Sequence, residues 1–179
     1  PLFCIGVKDT DISPDPRERM KKQCVMDIVN DVLFSRSSVF RNELYESGLI
    51  SSAMSYGFTH CLEVSHNILS GESSDPEAVY EKYCAYMEKI KTDGIDPAAF
   101  ERCRRVLYAN CVSSFDDAQE ICHNMMDTIL DGEEPFDEPH IIASLTVEDA
   151  NRVLRSVFRE EATAMAVIAP LTENKEETV

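Results

Sequence analysis

The sequence predicts an α+β fold, a mostly antiparallel sheet with helices over one face. Three observations predict it. Strand-like segments are few and separated, at Leu2–Lys8, within 52–69 and at Ala162–Ile168. Helical patterns succeed one another from Asp75 to Val157 with no strand between them. The chain has 179 residues, enough for one domain with a real core.

Leu2–Lys8 (LFCIGVK) is an apolar run, read as a buried strand. Asp9–Pro16 clusters Asp, Ser and Pro, which is turn chemistry. A helix from about Arg17 to Phe34 sets Val25, Ile28, Val29 and Val32 at i, i+3, i+4 and i+7, giving one apolar face. After Ser35 a short helix places Phe40 and Leu44 four apart, and Gly48 ends it as a left-handed cap. Ser52–Phe58 and Cys61–Leu69 alternate with period two, as half-buried strands do, and are expected to pair through the Gly57–His60 neighbourhood.

Ser70–Ser74 reads as a loop. Asp75-Pro76 and Asp96-Pro97 each place a capping carboxylate before a proline at the first helical position. The first of these helices runs to Lys91, is closed by Gly94, and is expected to bury Val79, Tyr83, Tyr86 and Ile90. The second presents Phe100, Cys103, Leu107 and Cys111 on one side. A further helix, about Asp117 to Leu130, presents Ala118, Ile121, Cys122, Met125 and Ile129, and Asp131-Gly132 stops it. Pro135 and Pro139 bracket a connection to a short helix at His140–Ser144. Thr146 with Asp149 three later resembles a capping box, opening a helix that carries Ala150, Val153, Leu154 and Val157. Ala162–Ile168 is the last strand, its small residues suited to close packing against helices. Residues 1–171 are read as a single unit and 172–179 as a polar tail or linker.

With 33 acidic residues against 17 basic, the net charge is −16. Such a surface repels phosphate, so neither nucleic acid nor an anionic membrane is expected as a partner; it reads first as a solvated acidic surface, with a preference for basic partners as the alternative. No run approaches the roughly 18 consecutive apolar residues of a membrane span. No basic segment followed by an apolar stretch marks a signal peptide. Of the seven cysteines no pair has CxxC spacing, and most fall on apolar faces, which fits buried free thiols in a reducing cytosol. A cytoplasmic location is expected. The chain opens on Pro1, directly in strand-like sequence, as an excised piece of a longer protein would.

No catalytic constellation can be derived from these residues. HExxH and HxxEH bring two histidines and a general base to one zinc, and neither string occurs. His60, Glu63 and His66 lie in strand sequence, where period two gives His60 and His66 one face and Glu63 the other. GxSxG, Gly-rich phosphate loops and the dinucleotide fingerprint are absent. Arg104-Arg105 reads as an exposed helix face, with Glu101 and Arg105 paired at i, i+4. No metal ligand is assigned, and no cofactor is expected in this chain.

The stretch SSVFRNELYESGLISSAMSYGF (Ser37–Phe58) resembles a signature of the insulinase/pitrilysin family of zinc metallopeptidases, the inverzincins. There a Ser-Ser opens a helix, followed by a bulky pair, an acidic residue, a Gly-Leu and a strand. LFCIGVKD is similar to the first strand of that family's repeat, GIDPAAFERCRRVLYAN to a later helix, and SLTVEDANRVLRSVF with AMAVIAPL to the closing helix and strand. The wording is closest to uncharacterised bacterial members. The resemblance implies an insulinase-like α/β roll repeat, one of four in a parent whose zinc-binding HxxEH lies in the first. This chain lacks that motif, so it resembles a repeat of the C-terminal half. Such a repeat lines a chamber, holds peptide substrate, and contacts other repeats of the parent and a partner subunit in a hetero- or homodimer, without cleaving alone.

Many members carry in this stretch an Arg and, beyond the Gly-Leu, a Tyr that together steady the substrate carbonyl in the transition state. The matching positions here hold Tyr45 and Ser51. Either the chain comes from the zinc-bearing subunit of a two-subunit member, or its parent is a non-catalytic structural or binding subunit. The substrate-binding residues implied are Tyr45, Ser51, Ser52 and Tyr56.

Overall fold

The chain's first strand, β1 (Leu2–Asp9), lies inside a four-stranded sheet. It is flanked by β3 (Val64–Glu72) and β4 (Thr163–Ile168), and β2 (Ser55–Cys61) adds beyond β3. All three pairings are antiparallel. The structure is a computed structural model that describes residues 1–51, 54–61 and 64–170. Ser52, Glu63 and the tail at 172–179 lie outside the described residues.

Alternation along β1 buries Phe3, Ile5, Val7 and Asp9 and turns Leu2, Cys4, Gly6 and Lys8 to the other face. The register carries this across the sheet: Ile5 stands opposite Leu69 and Met165, Val7 opposite Asn67 and Thr163. Over the buried face runs α1 (Pro16–Phe34), opened by Asp15, whose carboxylate accepts from the Arg17 amide, with proline at the first turn. Cys24, Val25, Met26, Ile28, Val29, Leu33 and Phe34 are all buried, so α1 is covered almost all round. Its sheet side touches β2, and α4 (Pro97–Ser114), α6 (Glu138–Ser144) and α7 (Val147–Val157) pack on its other sides. Each fully buried side chain of this size contributes about 1.5–3 kcal/mol.

Phe34 ends α1 at an aromatic cluster. Its ring centroid lies 5.9 Å from Phe40 of α2 (Val39–Glu46), 6.3 Å from Tyr83 of α3 (Pro76–Asp93) and 6.5 Å from Phe158. Capping chemistry sets the helix starts: Asp75 accepts from the Ala78 amide, Asp96 from the Ala99 amide, and Thr146 with Asp149 forms a reciprocal capping box. The α+β architecture expected from the sequence is the one observed.

Several details differ from expectation. β2 continues through Gly57–His60, and the Cys61–Val64 pairing puts the reversal between those two residues. His60 and His66 therefore lie on opposite faces, because a hairpin reversal separates them. β3 extends over Ser70 to Glu72 rather than ending at Leu69, since Ser70 pairs with both Cys4 and Ser55. Its buried face is Ser65, Asn67 and Leu69, while the more apolar Val64, His66 and Ile68 face away from the helices. Asn67 tolerates burial because Asn30 Nδ2 of α1 donates to its Oδ1 at 2.8 Å.

Ala164 and Ala166 of β4 stand on the uncovered face and do not pack on helices. In α3 Met87 is buried, and Tyr86 and Ile90 only partly. Arg104 does more than face solvent: besides Glu101, its guanidinium donates to the Ala143 carbonyl at 3.1 Å, closing the end of α6. The helix α5 (Ala118–Leu130) has no buried residue at all.

Candidate functional site

The stretch from Ser37 to Phe58 is fastened from within. Ser38 Oγ accepts from the Arg41 amide and starts α2, while Phe40 and Leu44 sink into the core. Gly48 ends the helix at φ 70°, and the amides of Leu49 and Ile50 both return to the Leu44 carbonyl. Ile50 and Met54 are buried in turn. With Ile50 inward, Ser51 is exposed and faces an open hollow of 560 Å³ bounded by Leu49, Glu72, Ser73 and Ile168. A second hollow of 500 Å³ shares Leu2, Glu72 and Ile168 with it and runs over Cys4, Ser70 and Ala166 on the uncovered sheet face. Around the hollows that face is apolar or small-sided, with Ile168 69% exposed, while Lys8, Thr59 and His66 make its far part polar beside Val64, which is 60% exposed. Among the described residues, β2 and β4 are the outer strands of the sheet.

The four residues marked from sequence do not converge. Ser51 faces the first hollow. Tyr45 sits in the last turn of α2, 65% exposed. Tyr56 points to the helix layer, where its hydroxyl donates to Asp31 Oδ1 at 2.9 Å. Burial, then that bond to Asp31, pushes the Tyr56 hydroxyl up to about 12, so it stays protonated. Ser52 lies outside the described residues.

One polar group escapes sequence reasoning. His60, on the helix side of β2, has its Nε2 3.8 Å from Glu133 Oε1 in the α5–α6 connection. Burial first, then Asp131, pushes the Glu133 carboxyl up to about 7, and burial lowers His60. Arg19 braces the same connection, donating to the Asp131 carbonyl at 2.6 Å. Only the fold joins positions so distant in sequence, and the acidic stretch around Glu133 gives no local sign of it.

Shifted acid and imidazole ionisation is how proton-transfer sites are often marked. Here both side chains are nearly buried, and the pair has no third ligand: among the described residues no group of three or more His, Cys, Asp or Glu is placed to hold a metal ion. This donor set does not fit zinc, so no step through a metal is derived for the chain. Cys4, Cys24, Cys84, Cys103, Cys111 and Cys122 are free thiols. No described helix is long and apolar enough to cross a membrane.

Among the described residues the sheet has one uncovered face, two open hollows and no assembled reaction centre. The family is specific. The model of the peptidase M16 inactive domain matches residues 15–107, and the chain belongs to that family. The insulinase-like reading of the motifs is thereby borne out. The chain is 21% identical over 174 residues to the uncharacterized zinc protease YmfH of Bacillus subtilis, covering 95% of this chain and 40% of that protein. It thus spans well under half the length of that curated relative. Among solved structures, one described as an M16-like peptidase of Alicyclobacillus acidocaldarius superposes with TM-score 0.85 at 23% identity, covering 92% of this chain and 39% of the other. The inactive peptidase domain of a zinc protease from Bordetella parapertussis superposes with TM-score 0.83 at 11% identity, covering 99% and 95%. At these identities the likeness is one of fold.

Proposed function

We propose that this chain is a chamber-wall and substrate-holding repeat from the C-terminal half of a bacterial zinc-dependent endopeptidase. The parent hydrolyses peptides with a zinc-activated water held by another repeat. The observation that carries this reading is the part of the uncovered face over Cys4, Ser70, Ala166 and Ile168, small-sided or apolar and continuous with the hollow at Ser51. In this reading residues 1–171 form one repeat. Other repeats of the parent, or a dimer partner, cover part of that face, and an extended peptide lies along the hollow. Ser51 and Ser52 offer hydroxyls, Tyr45 a rim contact, and Tyr56 fixes β2, whose outer edge can add a peptide strand. Free thiols in the fold suit a cytoplasmic protein.

Two measurements on the 179-residue chain test this reading. Elemental analysis after purification is expected to find no stoichiometric zinc, and peptide substrates to remain uncleaved; zinc near one-to-one would overturn the placement of the metal elsewhere. Hydrogen exchange with an unstructured, near-neutral peptide is expected to protect amides of β2 and residues around Ser51. Protection confined to other elements, or none, would overturn the substrate-holding role.

The occupation of the family's Arg and Tyr positions by Tyr45 and Ser51 favours a second reading, a non-catalytic structural or binding subunit of a peptidase-like assembly. Sequencing the parent's N-terminal half separates them: HxxEH with a downstream Glu supports the peptidase, and its absence the binding subunit.

A further inference from the structure

The α5 helix is amphipathic, yet none of its residues is fully buried. Ile121, Met125 and Thr128 lean toward the body, where they meet Met20, Phe115 and Phe136. The neighbouring stripe faces out: Cys122, Met126 and Ile129 at i, i+4, i+7, and Leu130 beside them. Met126 is 60% exposed, Ile129 59% and Leu130 73%. Phe115 and Phe136, their rings stacked at 5.8 Å, extend the apolar surface past the helix. An apolar helical stripe of this size has the form of one half of a helix–helix contact.

Charge selects the other half. From Val106 to Asn151 the sequence holds eleven acidic residues and no Lys or Arg. Glu120 and Asp127 are exposed on α5 itself. The last turn of α5 has no basic residue, and Asp127 and Asp131 stand at its C-terminal end, so the negative end of the helix dipole is reinforced rather than offset. A second copy of this chain, or an anionic lipid surface, brings like charge to the same rim.

We propose that the exposed face of α5 is a docking surface for a cationic amphipathic helix of another polypeptide segment. Its apolar side lies on Met126, Ile129 and Leu130, and its Lys or Arg residues meet Glu120, Asp127 and Asp131. This surface belongs to the helix layer and is separate from the hollow at Ser51.

The probe is a synthetic peptide of about 15 residues with Leu on one helical face and Lys on the other. It is titrated against the whole 179-residue chain by fluorescence anisotropy, beside a scrambled isomer of the same charge. Expected is binding that Met126→Gln with Leu130→Gln weakens about tenfold or more, and Asp127→Lys with Glu120→Lys likewise. Ile68→Gln, on the uncovered sheet face, leaves it unchanged. On the unsubstituted chain the peptide slows alkylation of Cys122, read by peptide mapping, and not that of Cys4, a readout that does not depend on any variant folding. Equal affinity for the scrambled isomer, Cys122 left unprotected, or weakening by Ile68→Gln instead, overturns the proposal. So does self-association of the chain that Met126→Gln with Leu130→Gln abolishes, because the occupant is then a second copy.

Discussion

Asn30 of α1 and Asn67 of β3 hold each other in the interior, Nδ2 to Oδ1 at 2.8 Å, and both are essentially inaccessible. Across the interface between helix layer and sheet this is a polar bond in an apolar setting, with the Asn30 Oδ1 making no hydrogen bond among the described residues. Replacing one partner strands the other. Asn67→Leu or Asn30→Leu alone is expected to cost about 1–3 kcal/mol. The double variant is expected to cost clearly less than the sum, because no buried amide then lacks a partner. Urea unfolding of all four proteins checks this, and strict additivity would count against it.

Asp27, on α1, is pushed up to about 6, chiefly by burial, with Glu138 and Asp31 adding to it and the Gln23 hydrogen bond opposing. A carboxyl raised in the folded state favours the protonated form there. The folded state is therefore best served below about pH 4, and this contribution is lost as pH rises through 4 to 6. Asp27→Asn keeps an oxygen for Gln23 and removes the charge. Its melting temperature is expected to match the parent's near pH 4 and to exceed it by several degrees at pH 8. A gap that does not open with pH would contradict the assignment.

Gly48 has φ 70° and open space where a Cβ would go, so only the backbone resists a side chain. Gly48→Ala is expected to cost about 1 kcal/mol. Gly57, on β2, also has open space and no such dihedral, and Gly57→Ala is expected to be neutral or slightly stabilising. Equilibrium unfolding of both variants gives the comparison.

The uncovered sheet face should announce itself in solution. The isolated chain is expected to self-associate at high concentration, and Val64→Lys with Ile168→Lys to suppress this, since both side chains stand exposed there. Sedimentation that stays strictly monomeric would argue that the face needs no cover.

Helix starts were legible because their chemistry is local. Asp75-Pro76 and Asp96-Pro97 carry both cap and first-turn proline within two residues. The turn between β2 and β3 was not, because alternation continues through Gly57–His60 and no turn residue marks the reversal between Cys61 and Val64. The buried face of β3 was unreadable for a different reason: Ser65 and Asn67 look like a solvent face until Asn30 is brought beside them. On α5 the periodicity marked Ala118, Ile121, Cys122, Met125 and Ile129 and passed over the exposed Met126 and Leu130, because periodicity says only that a face is apolar, not whether this chain covers it. Of the candidate site, the Gly48 break and the burial of Phe40 and Leu44 were readable. The hollow was not, since its walls come from both ends of the sequence.

One pairing also sets the order in which the molecule can be made. The second residue of the chain lies opposite the 168th, on the strand inside the sheet. During synthesis β1 emerges ahead of the other strands of this sheet, gains β3 once residue 72 is out, and keeps its other edge unpaired until β4 appears. Closing so long a loop is the step that local helix formation cannot hasten. A chain halted after α7 thus presents β1, the strand with the most buried face, as an open edge of a three-stranded sheet, a template for strand-to-strand aggregation.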